Sequence, residues 1–568
     1  MPRLHSHPLR YLFSSEHGAP DHLLARWLFL RALGLIYLSA FISLLVQIRG
    51  LIGPHGILPA SEYLAGVAQS LPGPQRLWFA PTLLWISSSN HALLALCWAG
   101  ILASLLVIAN LWPRLSLLAC FVCFLSFVSA ASDFSSYQSD GMLLEAGFLS
   151  LFLAPRGRLP GLGRTSLPPR AAHLLLLWEW FRIYLESGMV KLLSGDQQWR
   201  HLTAMDDYYQ NGPLPTWIGW YVGHLPHAFH QATVLLTFAL ELVLVWMLFL
   251  PRPFRIACFF LVTAWQIGVI LTANYAFLNY LVLILAFLLL DDRFLSPLLP
   301  SRWQFAPVLV TNAPCHPQKS QDPLLSLPIE PAPLCHPERS EGPASLPQAP
   351  PDPIASLTSD LTSRPTARIA FTAITLSWIF YATLVPLVRM LWRSAPLPIA
   401  PVVALDPFRI SNAYGLFAVM TPHRYEIEFH GSVDGITWTP YNFRRKPQDP
   451  ARRPGIYAPF QPRFDWNLWF ASLGAWTEYP IVPRTEERLL ENDPDVLALF
   501  AGNPFPNAPP RQVRAVLWQY WFTSMPEKNL RGLWWNRQLL GTYAPTLTRT
   551  SDGRFAIVDR PTLSALPE

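Results

Sequence analysis

Glu179, Arg182 and Glu186 fall at i, i+3 and i+7 in WEWFRIYLESGMVKLL (178–193), a stretch otherwise rich in Leu, Trp, Phe and Ile. That spacing places all three on one face of a helix, with Lys191 one further turn along. Each charge at the centre of a bilayer costs roughly 2.5 to 3.5 kcal/mol on insertion scales, so several in one helix need partners or water. Glu145 and Glu241, each within another apolar stretch, are placed to face them. Three arrangements fit. One is an internal ion-pair network that fixes helix packing. The second is an outward-opening polar cavity that binds a substrate or partner segment. The third is acid/base catalysis by a Glu or Lys whose pKa has been shifted, which makes an intramembrane enzyme around Glu186 and Lys191 the alternative reading.

The residues that follow describe how the helix ends. Ser187-Gly188 permits close backbone approach of a neighbouring helix. Ser194-Gly195 followed by Asp196 is a turn signature, and Arg200 comes one short step later. WRHLTAMDDYYQNGPLPTWIGWY (199–221) mixes aromatic and polar side chains, which predicts an interfacial segment with Trp199, Trp217, Trp220 and Tyr221 at headgroup level.

Other chemistry has little support. Cys120-x-x-Cys123 lies mid-helix, where a thiolate is disfavoured by desolvation. CHPQKSQDP (315–323) is echoed by CHPERSEGP (335–343), but adjacent Cys-His is poor ligand spacing, so no metal site and no cofactor is expected. No Gly-x-Ser-x-Gly, His-Glu-x-x-His, Gly-x-Gly-x-x-Gly or phosphate-loop pattern occurs. A net charge of +6 over 568 residues gives no reason to expect a nucleic-acid partner.

The elements that hold these residues are membrane helices. The chain is 51% hydrophobic and 14% charged, with a mean hydropathy of +0.26, values of a multi-pass membrane protein with membrane lipids as partners. A helix needs about 17 to 25 apolar residues to cross. Candidates lie near 24–46, 91–112, 114–132, 138–154, 170–193, 229–250, 254–273, 276–291 and 368–391, giving eight or nine crossings with the fourth and eighth short. Arginines collect in alternate short loops, at 114, 156–170, 252–255 and 293–302, which puts the N-terminus and those loops in the cytoplasm. The 38 Arg against four Lys suggest a GC-rich bacterial genome and hence a bacterial inner membrane.

Residues 1–295 thus read as the multi-pass domain, carrying an outward loop at 186–226. Residues 296–366 are Pro-rich and aperiodic, a disordered linker. The last transmembrane helix occupies 367–395. From 404 to 568 the pattern is β-rich: Tyr425, Ile427 and Phe429 alternate with Glu426, Glu428 and His430, and Asp434-Gly435 offers a tight turn. VRAVLWQYWFT (513–523) reads as a strand, with helix near 465–474 and 493–501. This domain is expected outside the cytoplasm, with no cysteine and with aromatic side chains supplying its stability.

ESGMVKLLSGDQQWRHLTAMDDYYQNGPLPTWIGWYVGHLP (186–226) closely resembles the lipase maturation factor family. RFDWNLWFASL (463–473), then RAVLWQYWFT and GLWWNRQLLGTYAP (514–523 and 532–545), resemble its C-terminal region in the same order. The resemblance covers most of the chain outside the linker and marks Arg463, Asp465, Trp466, Trp469, Arg514, Trp534 and Trp535 as motif residues. It implies a multi-pass membrane protein, resident in the endoplasmic reticulum in animals, that assists folding and assembly of secreted homodimeric lipases. By that resemblance this chain is a chaperone-like maturation factor for a secreted or translocated client, a lipase in the family. Its client site is expected among Glu145, Glu179, Arg182, Glu186, Lys191, Asp196, Arg200 and Glu241, and the Trp-rich blocks serve either as client surface or as domain core.

Overall fold

Each apolar segment long enough to cross a bilayer is helical in the computed structural model, which describes residues 7–135, 137–298 and 353–563. In chain order these are α1 (Leu23–Leu45), α2 (Asn90–Ile108), α3 (Pro113–Val128), α4 (Gln138–Leu153) and α5 (Arg170–Leu193). They continue as α6 (His227–Phe238), α7 (Arg252–Thr272), α8 (Leu278–Ala286) and α9 (Pro353–Leu391). By length and composition, five stretches among the described residues are suited to crossing a membrane: Leu23–Leu45, Asn90–Ile108, His227–Phe249, Arg252–Thr272 and Ala367–Leu391. The helices α3 and α8 are apolar but short, α4 has only 16 residues, and α5 is long enough but carries Arg170, Glu179, Arg182, Glu186 and Lys191.

Close helix contact depends on small residues. A Cβ on Gly100 of α2 would lie 2.3 Å from the Phe41 ring of α1, so only glycine lets that ring seat. The expected close approach at Ser187-Gly188 is present: a Cβ on Gly188 would meet Leu242 Cδ2 at 2.7 Å and Glu241 Cβ at 2.9 Å. At that point the α6 path departs from regular helix, passing through a π turn at Ala239–Val243 and a 3₁₀ stretch at Leu244–Phe249.

Most of the linker expected at 296–366, with its two Cys-His pairs, lies outside the described residues. Its end does not: α9 begins at Pro353, fourteen residues before the start expected at 367. Pro353 occupies the first helical position, where its missing N–H costs nothing.

The C-terminal module is built on β1 (Arg424–Ser432), β2 (Thr439–Pro440), α10 (Arg463–Ala471), α11 (Ile481–Leu490) and β3 (Gln512–Phe522). It is completed by β4 (Trp535–Thr542), β5 (Thr546–Arg549) and β6 (Phe555–Asp559). One antiparallel sheet runs in the order β2-β1-β3-β5-β6, with β4 also paired to β3. The β1–β2 hairpin forms as expected, but its second arm is only two residues long, and β1 instead pairs along its whole length with β3, Ile427 opposite Leu517. Asp434 shapes the turn by accepting the N–H groups of Ile436 and Thr437 at 2.8 and 2.7 Å. The helix expected at 465–474 is α10, that at 493–501 shrinks to Pro494–Leu497, and α11 was not anticipated. The core is aromatic, with Phe443, Phe464 and Tyr441 ringing Phe500 at centroid distances of 5.1, 5.2 and 5.5 Å.

The polar face of β1 does not meet water. Glu426 and Glu428 are buried; Arg424 bonds Glu426, Lys446 reaches it at 2.7 Å, and Arg537 reaches Glu428 at 3.1 Å. Alternation therefore reports two buried faces here, one apolar and one ion-paired.

Glu486 of α11 is buried beneath the sheet. Burial pushes its carboxyl well above the usual range, the Ala515 backbone opposes this and Glu487 adds to it. Folding then favours the protonated form, so its contribution is fully present below the unfolded pKa, about 4.3, and is lost as pH rises toward the raised folded value. Glu486→Gln should raise the melting temperature at pH 8 and leave it unchanged near pH 4, read by thermal unfolding in detergent. An equal effect at both pH values would contradict a protonated Glu486.

Candidate functional site

The charged face of α5 is closed by the chain itself. Arg182 bonds Glu145 of α4 and lies 3.9 Å from Glu186, and all three are fully or almost fully buried. Residues 411–421, which lead from α9 into the C-terminal module, cross these groups as a strap. Arg182 Nη1 donates to the Asn412 carbonyl at 2.5 Å. Glu145 accepts the Asn412 N–H at 3.0 Å, its side-chain amide at 3.1 Å and the Tyr414 hydroxyl at 3.0 Å. Glu186 accepts the Tyr414 N–H at 2.6 Å. Glu179, also buried, faces Glu145, Arg182 and Tyr414. Arg182 thus pairs with Glu145 and Glu186, and N–H and O–H donors of the strap serve those two carboxyls, while among the described residues neither oxygen of Glu179 has a hydrogen-bond partner.

Lys191 is not part of that cluster. Its Nζ lies 2.9 Å from both Glu241 oxygens, at the π turn that Gly188 brings close. Beside this pair is a cavity of about 80 Å³, bordered also by Tyr184, Gln266 and Asn279. Tyr184 and Asn279 both bond Gln266, at 2.6 and 2.7 Å.

The turn beyond α5 also holds the strap. Asp196 caps Gln197–Arg200 by accepting the Gln198 N–H at 2.6 Å, and its second oxygen accepts the Met420 N–H at 2.6 Å. Trp199 Nε1 donates to the Phe417 carbonyl at 3.0 Å. Arg200 is exposed and stands apart from the cluster. The interfacial role expected for the aromatics fails for two of them: Trp199 and Trp220 are buried. Trp220 donates to the Trp534 carbonyl at 3.0 Å and their rings lie 5.2 Å apart. They are the seam between the loop at 186–226 and the C-terminal module, because an indole with its N–H satisfied by a partner carbonyl can be buried cheaply.

The C-terminal motif residues form a second clamp. Arg463 makes a two-pronged bond to Asp140 of α4, at 2.7 and 2.8 Å, and donates to the Phe134 carbonyl at 2.6 Å. Gln47 beyond α1 accepts the Arg463 N–H at 2.9 Å and donates to the Gln461 carbonyl at 2.9 Å. Trp466 packs edge-on against Tyr137. Asp465 accepts the Lys446 N–H at 3.2 Å, and burial raises its carboxyl against the opposing pull of Arg445 and Lys446. Trp535 is buried under Arg424, Trp469 and Trp534 are half-buried, and Arg514 stacks on Trp438 at 4.0 Å. These blocks are largely core and seam.

Asp140, Gln47, Asn412, Tyr414 and Arg424 were missed from sequence. Asp140 alone carried a signal, an acid at the start of an apolar segment; SNAYG (411–415) looks like any other loop. The arrangement favours structure over catalysis, since Glu186 and Lys191 are both engaged by partners within the chain. Among the described residues no group of three or more His, Cys, Asp or Glu could hold a metal ion.

Two family models match this architecture at its natural joint: the lipase maturation factor transmembrane domain over residues 24–297 and the lipase maturation factor C-terminal domain over 410–545. The chain belongs to the lipase maturation factor family. It is 30% identical to lipase maturation factor 1 of Bos taurus, over 93% of this chain and 89% of that protein. It is 31% identical to lipase maturation factor 2 of Mus musculus, over 92% and 82% respectively, and 30% identical to lipase maturation factor 1 of Homo sapiens, over 94% and 90%. No solved structure matches.

Removing one partner of the clamp should be costly. Arg463→Met leaves Asp140 buried without its cation and is expected to cost about 3 to 5 kcal/mol. Combining it with Asp140→Asn should recover part of that loss, measured as unfolding free energy in detergent. Strict additivity of the two substitutions would contradict a direct ion pair.

Proposed function

We propose that this chain is a membrane-embedded folding and maturation factor for secreted proteins, acting as a chaperone on lipase-type clients. The observation that carries this reading is the seam: the loop at 186–226 and the C-terminal module, the blocks that carry the family resemblance, join through Trp220–Trp534, Asp196–Met420 and Arg424 to the Pro213 carbonyl at 3.1 Å. They offer one continuous surface to a client. Exposed Trp521, Leu530, Leu539 and Ile557 give the module the apolar side chains an incompletely folded segment can bury.

The arginine pattern of the short loops supports a non-cytoplasmic position for that surface and eight or nine crossings. The 38 Arg against four Lys support a GC-rich bacterial genome and hence a bacterial inner membrane as the host membrane. A client emerging from translocation would meet the surface directly.

The test is a gene deletion in the native host, followed by activity and native mass of each secreted lipase. Active dimeric lipase should fall while its transcript and synthesis are unchanged, and re-expression should restore it. Lipase of unchanged activity, abundance and assembly would contradict the proposal.

A further inference from the structure

At the far end of α5 from the strap, the short helix His7–Phe13, α9 and the residues preceding α7 enclose a cleft of about 740 Å³. That volume falls within the range of about 300 to 1,000 Å³ typical of small-ligand sites. Its walls are apolar, with Leu174, Trp178, Leu248, Phe249, Leu376 and Phe380, and its mouth carries Arg170, Arg255, Asp21, His22 and His173. Leu174 and Phe249 are 56% and 59% exposed, so the apolar half is open at the side of the helix bundle.

The mouth is cationic and incompletely partnered. The Nε atoms of Arg170 and Arg255 are buried without a hydrogen bond, and the Arg255 side chain makes no hydrogen bond or ion pair among the described residues. Arg170 stacks on Tyr11 at 4.5 Å and reaches the Gly18 carbonyl at 3.4 Å. Asp21 is the one acid of the lining; its bond to His22 holds it well below the usual carboxylate range, so it stays ionised. Two arginines less one aspartate leave a formal charge of +1 with the histidines neutral. A single phosphodiester carries the opposite charge.

We propose that this cleft binds one anionic phospholipid, with its phosphodiester between Arg170 and Arg255 and an acyl chain along Leu174, Trp178, Phe249 and Phe380. Charge selects the headgroup and apolar contact holds the chain. The site is separate from the client surface and does not depend on the maturation role.

Full-length protein in detergent is exposed to phosphatidylglycerol bearing a diazirine acyl chain, and separately to phosphatidylcholine with the same chain. After illumination the labelled peptides are mapped. Phosphatidylglycerol should label the peptides holding Leu174–Trp178 and Leu376–Phe380 at least roughly tenfold above phosphatidylcholine. Arg170→Gln with Arg255→Gln, and separately Ala171→Phe, which fills the cleft, should each abolish that excess; Arg255→Lys, which keeps the charge, should retain it. Inorganic phosphate should not compete. Equal labelling of wild type by the two lipids overturns the proposal whatever the variants do. So does full competition by inorganic phosphate, which marks a soluble-anion site, or undiminished labelling in the filled variant.

Discussion

Arg182 is buried inside the helix bundle with Glu145, Glu179 and Glu186 around it, where charges cut off from water depend on donors and acceptors supplied by the protein. Helix packing alone supplies one cation beside three carboxyls. Further donors to Glu145 and Glu186 come from Asn412 and Tyr414, on a stretch of chain more than two hundred residues further on. Burial of these charges therefore demands that the segment entering the C-terminal module be seated, and the seating fixes where that module sits. Arg463 with Asp140 repeats the device at α4, so two buried guanidiniums tie the module to the bundle.

Much of the rest follows from that docking. With the strap in place, Trp199 and Trp220 have partner carbonyls and become core. Asn274 joins in by accepting the Tyr457 N–H at 2.6 Å and donating to the Gly455 carbonyl at 2.9 Å. The greasy helix that ends in charge is thus a receptor for the chain's own backbone. The client surface proposed across this seam would be pre-organised, which lowers the ordering cost of binding. The lipid cleft sits at the other end of α5, where arginines meet apolar walls with no strap to satisfy them.

Sequence made the helices legible because their signal is local: long apolar runs, and a face of Glu179, Arg182 and Glu186 that only a helix creates. It made β1 and β3 legible for the same reason. Glu145 and Glu241 were legible as partners of Arg182 and Lys191, but Asn412 and Tyr414 were not, since backbone N–H groups carry part of their role and nothing in SNAYG marks their side chains as donors. One reading fell to long-range packing: of the four aromatics placed at the lipid interface, Trp199 and Trp220 are buried against the strap and the module. The reading of an internal ion-pair network comes nearest the geometry, although part of the network is backbone from the strap.

Amide hydrogen exchange across 411–421 in the full-length protein tests the docking most directly. The Asn412, Tyr414 and Met420 amides should exchange roughly a hundredfold or more slowly than a free chain, in step with the interior of α5. Exchange of these three at the free-chain rate, while α5 stays protected, would mean the charges are satisfied without the strap and would contradict the account.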